Sequence, residues 1–328
     1  MGSVIRPSLA EIEQAAARIH EVVLHTPLVP LHSYEGGSEI VLKPETHQAV
    51  TSFKLRGIFH AVSSLSEEER RRGVNTVSAG NTAQALAWAA RYFGIAARSI
   101  MLETAPRAKV EAVRSYGATP VLVSVDEAFR YLREHGWDQD PDTFIHPWTD
   151  QAVMTGHGSI GLEIVADWPE VESVFIPVGG GGLIAGVGTA LKALSPSVRV
   201  FAVEPEECPS LDASFRAGKP TSVDCHTICD GVGVPYITEE MYPLLRQVVD
   251  EMVLVPEKAV QAAIKRLALR DKLVVEGAGA LSLAAALAVP ASRRGRSVCL
   301  LTGGSIDAEL LSSILSDPEL DDYDFQRQ

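Results

Sequence analysis

The sequence predicts an α/β protein made of two open, parallel-sheet domains. Three observations carry that expectation. Short β-branched runs alternate with helical stretches from Val74 onward, the pattern of parallel strands joined by crossover helices. A turn-rich, polar segment over residues 137–147 interrupts the alternation, which resumes at Val174; that segment reads as a hinge between lobes. The chain has 328 residues, 46% hydrophobic and 22% charged, an ordinary globular composition with length for two cores.

The elements follow in order. Ser8 and Glu11 form a capping-box pattern, and Leu9, Ile12, Ala16 and Ile19 a helical stripe, so the first helix is expected to run to about His25-Thr26-Pro27. Residues 40–43 read as a strand, and 56–65 as a helix ended by the charged patch 67–72. Residues 74–77 are a strand, Ala79-Gly80 a turn, and 83–93 a helix. Residues 99–102, 109–116 and 121–123 continue as strand, helix and strand, with Gly94 and Gly117 punctuating helix ends. Beyond the hinge come a strand at 174–178, a helix at 183–194 and a strand at 198–203. A late strand at 298–301 runs into Thr302-Gly303-Gly304, and the acidic tail from Asp317 is expected to fray.

Charge narrows the function classes. A net charge of -13 repels phosphate backbones and anionic membranes, which argues against nucleic acid and membrane partners. No apolar run reaches the length of a membrane span. The start, Met1-Gly2-Ser3, is not a signal peptide, and Arg6 stands where a myristoylation pattern requires Ser or Thr. A soluble, cytoplasmic protein is expected. The sparse cysteines Cys208, Cys225, Cys229 and Cys299 fit a reducing compartment. Cys225-His226-Thr227-Ile228-Cys229 resembles half a metal site, but no second pair follows; these read as core cysteines, and no metal is assigned.

Two distant features suggest the chemistry. Lys54 sits between Phe53 and Leu55, where apolar surroundings would lower its pKa and favour it as nucleophile and base. Taken alone it reads equally well as a surface lysine. Far downstream, Gly179-Gly180-Gly181-Gly182 follows an apolar strand and opens an Ala/Gly-rich helix, a setting that turns backbone N–H groups towards a phosphate. Four glycines exceed what a turn requires. An amine and a phosphate cradle together suggest a cofactor with an aldehyde and a phosphate, and pyridoxal phosphate fits. Ser78-Ala79-Gly80-Asn81-Thr82-Ala83-Gln84 joins a strand to a helix, where free N–H groups would grip a carboxylate or where Ser78 or Asn81 simply caps the helix. Thr302-Gly303-Gly304 lies at a strand's carboxyl end, as a ligand loop or a plain turn.

In this order the motifs resemble the threonine dehydratase and serine racemase branch of the fold type II pyridoxal phosphate enzymes, with their tryptophan synthase β-like fold. The matching stretches include His25-Thr26-Pro27-Leu28, Ser52-Phe53-Lys54-Leu55-Arg56-Gly57, Ser78 to Gln84, the glycine loop, Val203-Glu204-Pro205, Asp230-Gly231-Val232, Glu276-Gly277-Ala278-Gly279 and Thr302-Gly303-Gly304. The resemblance implies a large cofactor-binding domain of residues 1–72 plus 151–328, a small domain of 73–150, and a homodimer. It implies that Lys54 bonds the cofactor and serves as base at Cα. Phe53 would pack near the cofactor ring, and Asn81 would bind its phenolic oxygen. Gly179, Gly180, Gly181, Gly182 and Leu183 would bind its phosphate, and Thr302 would stand beside the ring nitrogen. Ser78, Ala79, Asn81 and Thr82 would receive the carboxylate of an amino-acid substrate.

Departures from the family sharpen the expectation. Thr82 replaces the family's usual His, which would admit a bulkier side chain. Ala79 replaces the serine that reprotonates the opposite face in serine racemases. Glu204 matches the first carboxylate of a divalent-metal site whose later carboxylate falls at Ser210 here. The expected activity is a dehydratase releasing a 2-oxo acid and ammonia from a β-hydroxy-α-amino acid of the serine or threonine type, or a bulkier one such as phenylserine or hydroxyaspartate. The alternatives are a racemase, a β-replacement synthase and a non-catalytic ligand-binding protein.

Overall fold

The computed structural model describes residues 4–32, 34, 37–105 and 107–326; Met1-Gly2-Ser3, which bear on the myristoylation reading, lie outside them. Strands β1 (Val29–Pro30) and β2 (Ile40–Pro44) precede β3 (Val74–Val77), β4 (Ala97–Leu102), β5 (Thr119–Val123) and β6 (Thr143–Phe144). Strands β7 (Ser173–Pro177), β8 (Arg199–Pro205), β9 (Glu251–Val255) and β10 (Ser297–Leu301) follow. They form a six-stranded sheet, β1-β2-β10-β7-β8-β9, and a four-stranded sheet, β5-β4-β3-β6. Every pairing is parallel except β1 with β2.

The large sheet is buried on both faces, and its period of two shows why. Val174, Ile176, Val298 and Leu300 enter one core cluster. Their neighbours Phe175, Cys299 and Leu301 enter the other. The helix Gly182–Leu194 belongs to the first face and the helix Gly277–Ala288 to the second. Both are apolar on every side because they are buried on every side, apart from the last turn of the first, where Lys192 and Leu194 reach solvent. The sequence reading passes over the helix Gly277–Ala288, along with Gln151–His157, Ser159–Asp167 and Glu257–Arg266.

Several boundaries differ from expectation. The first helix, Leu9–Ile19, has both halves of its Ser8/Glu11 capping box. It stops well before His25, and beyond its end Gln48 pins the chain, its amide accepting from Leu24 N at 3.0 Å and donating to Leu24 O at 2.7 Å. The charged patch is itself a helix, Glu67–Arg72, with a second capping box at Ser66/Glu69. The hinge segment contributes β6, which pairs with Val74 and Asn75. The acidic tail is docked rather than frayed. Leu320 is buried, Tyr323 and Phe325 pack on the core, and Lys265 binds the Asp317 carbonyl at 2.6 Å.

The cysteines need one correction. Cys208 and Cys225 form a disulfide, while Cys229 and Cys299 are the expected buried thiols. The partners come from the turn after β8 and a long loop, so no local spacing announces the pair. No helix among the described residues is long and apolar enough to cross a membrane.

Candidate active site

The loops that follow β3, β7 and β10 converge on one cavity of about 400 Å³. Parallel sheets gather ligands at the carboxyl ends of their strands. Every site residue expected from sequence lines this cavity: Phe53, Lys54, Ser78, Ala79, Asn81, Thr82, Gly179, Gly180, Gly181, Gly182, Leu183 and Thr302.

Lys54 opens the helix Lys54–Ser64, two residues earlier than expected. Its approach is fixed by backbone pairing. Ser52 bridges Gly303, Phe53 N donates to Thr302 O at 3.0 Å, and Gly304 N donates to Thr51 O at 3.0 Å. Thr51 turns the chain with a φ of 55°. Phe53 belongs to a core cluster of the large sheet, while Leu55, Ile58 and Phe59 belong to the cluster of the small one. The lysine therefore stands on the seam between two cores. Its amine lies 4.9 Å from the Phe53 ring centre and reaches the Pro147 carbonyl at 3.5 Å. Burial pushes its pKa down to about 8, and the Glu276 carboxylate opposes that shift.

Arg56, two residues further along the same helix, is fully buried and unsuited to contact a substrate. It binds Glu45 at 2.7 and 2.8 Å and Glu163 at 2.6 and 2.9 Å. Lys43 joins Glu163 at 2.6 Å. This paired cluster fixes the helix whose first residue is Lys54.

The glycine loop is dictated by close approach. A Cβ on Gly180 would collide with the Trp148 ring, and Gly181 has a φ of 92°. The helix Gly182–Leu194 starts without a side-chain cap, so its first N–H groups stay open. The same holds at the other end of the cavity. The N-cap of helix Asn81–Phe93 is Gly80, which makes no side-chain cap, so neither Ser78 nor Asn81 fills the capping role.

Asn81 instead donates through Nδ2 to Glu276 Oε1 at 2.7 Å. Two acceptor atoms near this junction, Asn81 Oδ1 and Thr302 Oγ1, are buried with no hydrogen-bond partner among the described residues. Such atoms are rare unless a ligand completes them. Burial, and after it the Asp230 carboxylate, push Glu276 up to about 7. Asp230 is ion-paired with Lys109 from the small-sheet side. Glu276, Asp230 and Lys109 all line the cavity. The sequence stretches holding Glu276 and Asp230 match the family without announcing a role for either residue, and Lys109 reads in sequence only as part of a helix.

Glu204 lies elsewhere. It accepts from Leu211 N at 2.8 Å, Asp212 N at 2.9 Å and Ser210 Oγ at 3.3 Å. It thus caps the helix Ser210–Ala217, with burial pushing its pKa up to about 7.

Comparison with known proteins agrees with this geometry. The model of the family described as "Pyridoxal-phosphate dependent enzyme" matches residues 19–303. An L-threonine ammonia-lyase of Thermotoga maritima is 40% identical over 315 residues, 94% of this chain and 78% of that protein. A catabolic L-threonine dehydratase of Staphylococcus aureus is 38% identical over 319 residues, 94% of this chain and 92% of that protein. Among solved structures, maize serine racemase superposes with a TM-score of 0.88 at 31% identity, covering 94% of this chain and 97% of its own. Threonine deaminase isoform 2 of Solanum lycopersicum gives a TM-score of 0.85 at 32% identity and covers 98% of both chains.

Proposed function

Since the chain belongs to the pyridoxal-phosphate dependent enzyme family, we propose that it is a dehydratase of β-hydroxy-α-amino acids, releasing a 2-oxo acid and ammonia. The residues present fit the cofactor. A partly dehydrated amine, an uncapped helix start with a glycine cradle, and the unpartnered buried hydroxyl of Thr302 share one cavity. Lys54 would hold the cofactor covalently, with Phe53 packed beside its ring. The N–H groups of Gly179, Gly180, Gly181, Gly182 and Leu183 would hold its phosphate. Thr302 would face the ring nitrogen, and Asn81 would use its second amide hydrogen on the phenolic oxygen. When bound, the cofactor supplies an electron sink that acidifies the Cα–H of an attached amino acid.

The rest is the work of the chain. Ser78, Ala79, Asn81 and Thr82 would seat the substrate carboxylate at the open helix start. Lys54 takes the Cα proton, its pKa near 8 suiting it to exchange protons near neutrality. The Cβ–O bond breaks and the hydroxyl leaves as water, taking the proton that Lys54 removed from Cα. The released enamine tautomerises and hydrolyses to the 2-oxo acid and ammonia. The smaller Thr82 wall leaves room for substituents larger than those of serine and threonine.

The observation that carries this reading is the pairing of Lys54 with Ala79 in one cavity. One face of Cα meets a proton carrier, and the methyl of Ala79 cannot protonate the other. The likeness to maize serine racemase favours racemisation as the second reading. Incubating the holoenzyme with L-serine and L-threonine separates the two. The expected result is equal release of 2-oxo acid and ammonia, with recovered substrate still L. Racemisation outpacing 2-oxo acid release would reverse the order of the readings. A new amino acid formed on adding a thiol would point to β-replacement.

A further inference from the structure

Resting on the dehydratase reading, we infer that the small-sheet side of the cavity is an apolar annex that selects β-hydroxy amino acids with an aromatic or large aliphatic β-substituent and rejects acidic ones.

Two elements build the annex. Ile100 and Leu102, two apart on β4, present the same face to the cavity. Phe129 and Leu132 come from the helix Val125–Arg133. This wall belongs to the same sheet as the Ser78–Thr82 turn, since β3 pairs with β4 along its length. A substrate whose carboxylate sits at that turn therefore has apolar surface beside it. Thr82 lines the same cavity with a small side chain.

Aromatic rings carry the annex across the cleft. Phe129 meets Tyr236 edge-on with centroids 6.4 Å apart, and Tyr236 meets Trp148 in the same manner at 6.4 Å. Trp148 also lies against the glycine loop. The rim thus spans from the small-sheet helix to the phosphate-binding end. An aromatic substituent held there would gain edge-to-face contacts and lose water on several sides.

Charge decides against the acidic class. Among the described residues lining the cavity, the basic side chains are Lys54 and Lys109. Lys54 would be committed to the cofactor and then to the Cα proton, and Lys109 is paired with Asp230. A β-carboxylate could draw on Lys109 only by breaking that pair. Asp230 would then be left beside Glu276, which it already repels.

The test uses holoenzyme with threo-phenylserine, threonine, serine and 3-hydroxyaspartate, reading 2-oxo acid release. The expected kcat/KM for phenylserine exceeds that for hydroxyaspartate by about a hundredfold or more. Phe129→Ala is expected to lower the phenylserine-to-serine ratio roughly tenfold, the scale of a lost apolar contact. Hydroxyaspartate turned over as well as phenylserine, or a ratio unmoved by Phe129→Ala, would overturn the inference while leaving the dehydratase reading intact. If no substrate yields a 2-oxo acid, the dehydratase reading fails, and the annex is judged by binding. Phenylalanine should then perturb the cofactor absorbance at lower concentration than aspartate; the reverse order would overturn it.

Discussion

Asn81 of the small-sheet helix donates to the carboxylate of Glu276, the residue before the buried helix of the large sheet, at 2.7 Å. A Cβ on Gly303 would strike both groups, so the turn after β10 is shaped around this contact. Glu276 also raises the Lys54 pKa against the effect of burial. Removing its charge should therefore lower the pH at which the amine becomes free. Cofactor uptake by apoprotein, followed by absorbance, should rise with pH around a midpoint of about 8. In Glu276→Gln the midpoint should move to lower pH. A midpoint that stays or rises would show that Glu276 does not act on Lys54.

The glycine loop gives a second prediction. Gly180→Ala places a methyl against the Trp148 ring, an overpacking cost of about 1–3 kcal/mol. The ring must move or the loop must shift, and either change disturbs the phosphate cradle. The expected result is at least tenfold weaker cofactor binding in equilibrium dialysis, together with a lower Tm of the apoprotein. Cofactor affinity equal to that of the parent would place the phosphate elsewhere.

Arg56 gives a third prediction, one of stability. Its guanidinium is shared by Glu45 and Glu163, with Lys43 balancing the charges. Arg56→Ala leaves two carboxylates with one cation between them, and breaking a buried pair costs about 3–5 kcal/mol. Urea unfolding should show the loss directly. The helix carrying Lys54 rests on this cluster, so the variant should also bind cofactor poorly. Simple loss of folded protein is separated from a displaced lysine by measuring binding well below the urea midpoint.

Much of the site was legible because its requirements are local. Glycines needed for close approach, an amine between apolar neighbours, and turns after apolar strands all leave marks within a few residues. The helices that escaped notice did so for a physical reason. Gly277–Ala288 is buried on every side and has no polar face to set a period. Val125–Arg133 did carry a readable signal, the capping box of Ser124 and Glu127. Contacts across long separations left no such mark. The Lys109–Asp230 pair and the Cys208–Cys225 disulfide depend on distant segments that meet only in the folded chain. Arg56 illustrates a different gap. Its motif was recognised, yet its sequence position beside Lys54 did not reveal that it faces Glu45 and Glu163 rather than the cavity.

Glu204 supplies a prediction for stability against pH. Its carboxyl is pushed from the ordinary 4.5 up to about 7, because burial outweighs the two backbone N–H groups and the Ser210 hydroxyl that favour its charge. The folded state thus holds a proton that the unfolded chain has already released. Between pH 4.5 and 7 the folded form binds more protons, so the stability from this group is complete below the lower value and falls as pH rises to the upper one. Glu276 is raised over the same window and adds a similar slope. The comparison with Glu204→Gln isolates the first group, since the amide keeps one acceptor for the Leu211 and Asp212 N–H groups and cannot ionise. Unfolding free energies from urea titration should fall between pH 5 and pH 8 by more for the wild-type protein than for the variant, with a difference on the order of 1–3 kcal/mol. Equal slopes would mean that Glu204 is already charged in the folded protein at acid pH. The helix cap would then hold a carboxylate throughout, and burial would no longer be the dominant influence at this position.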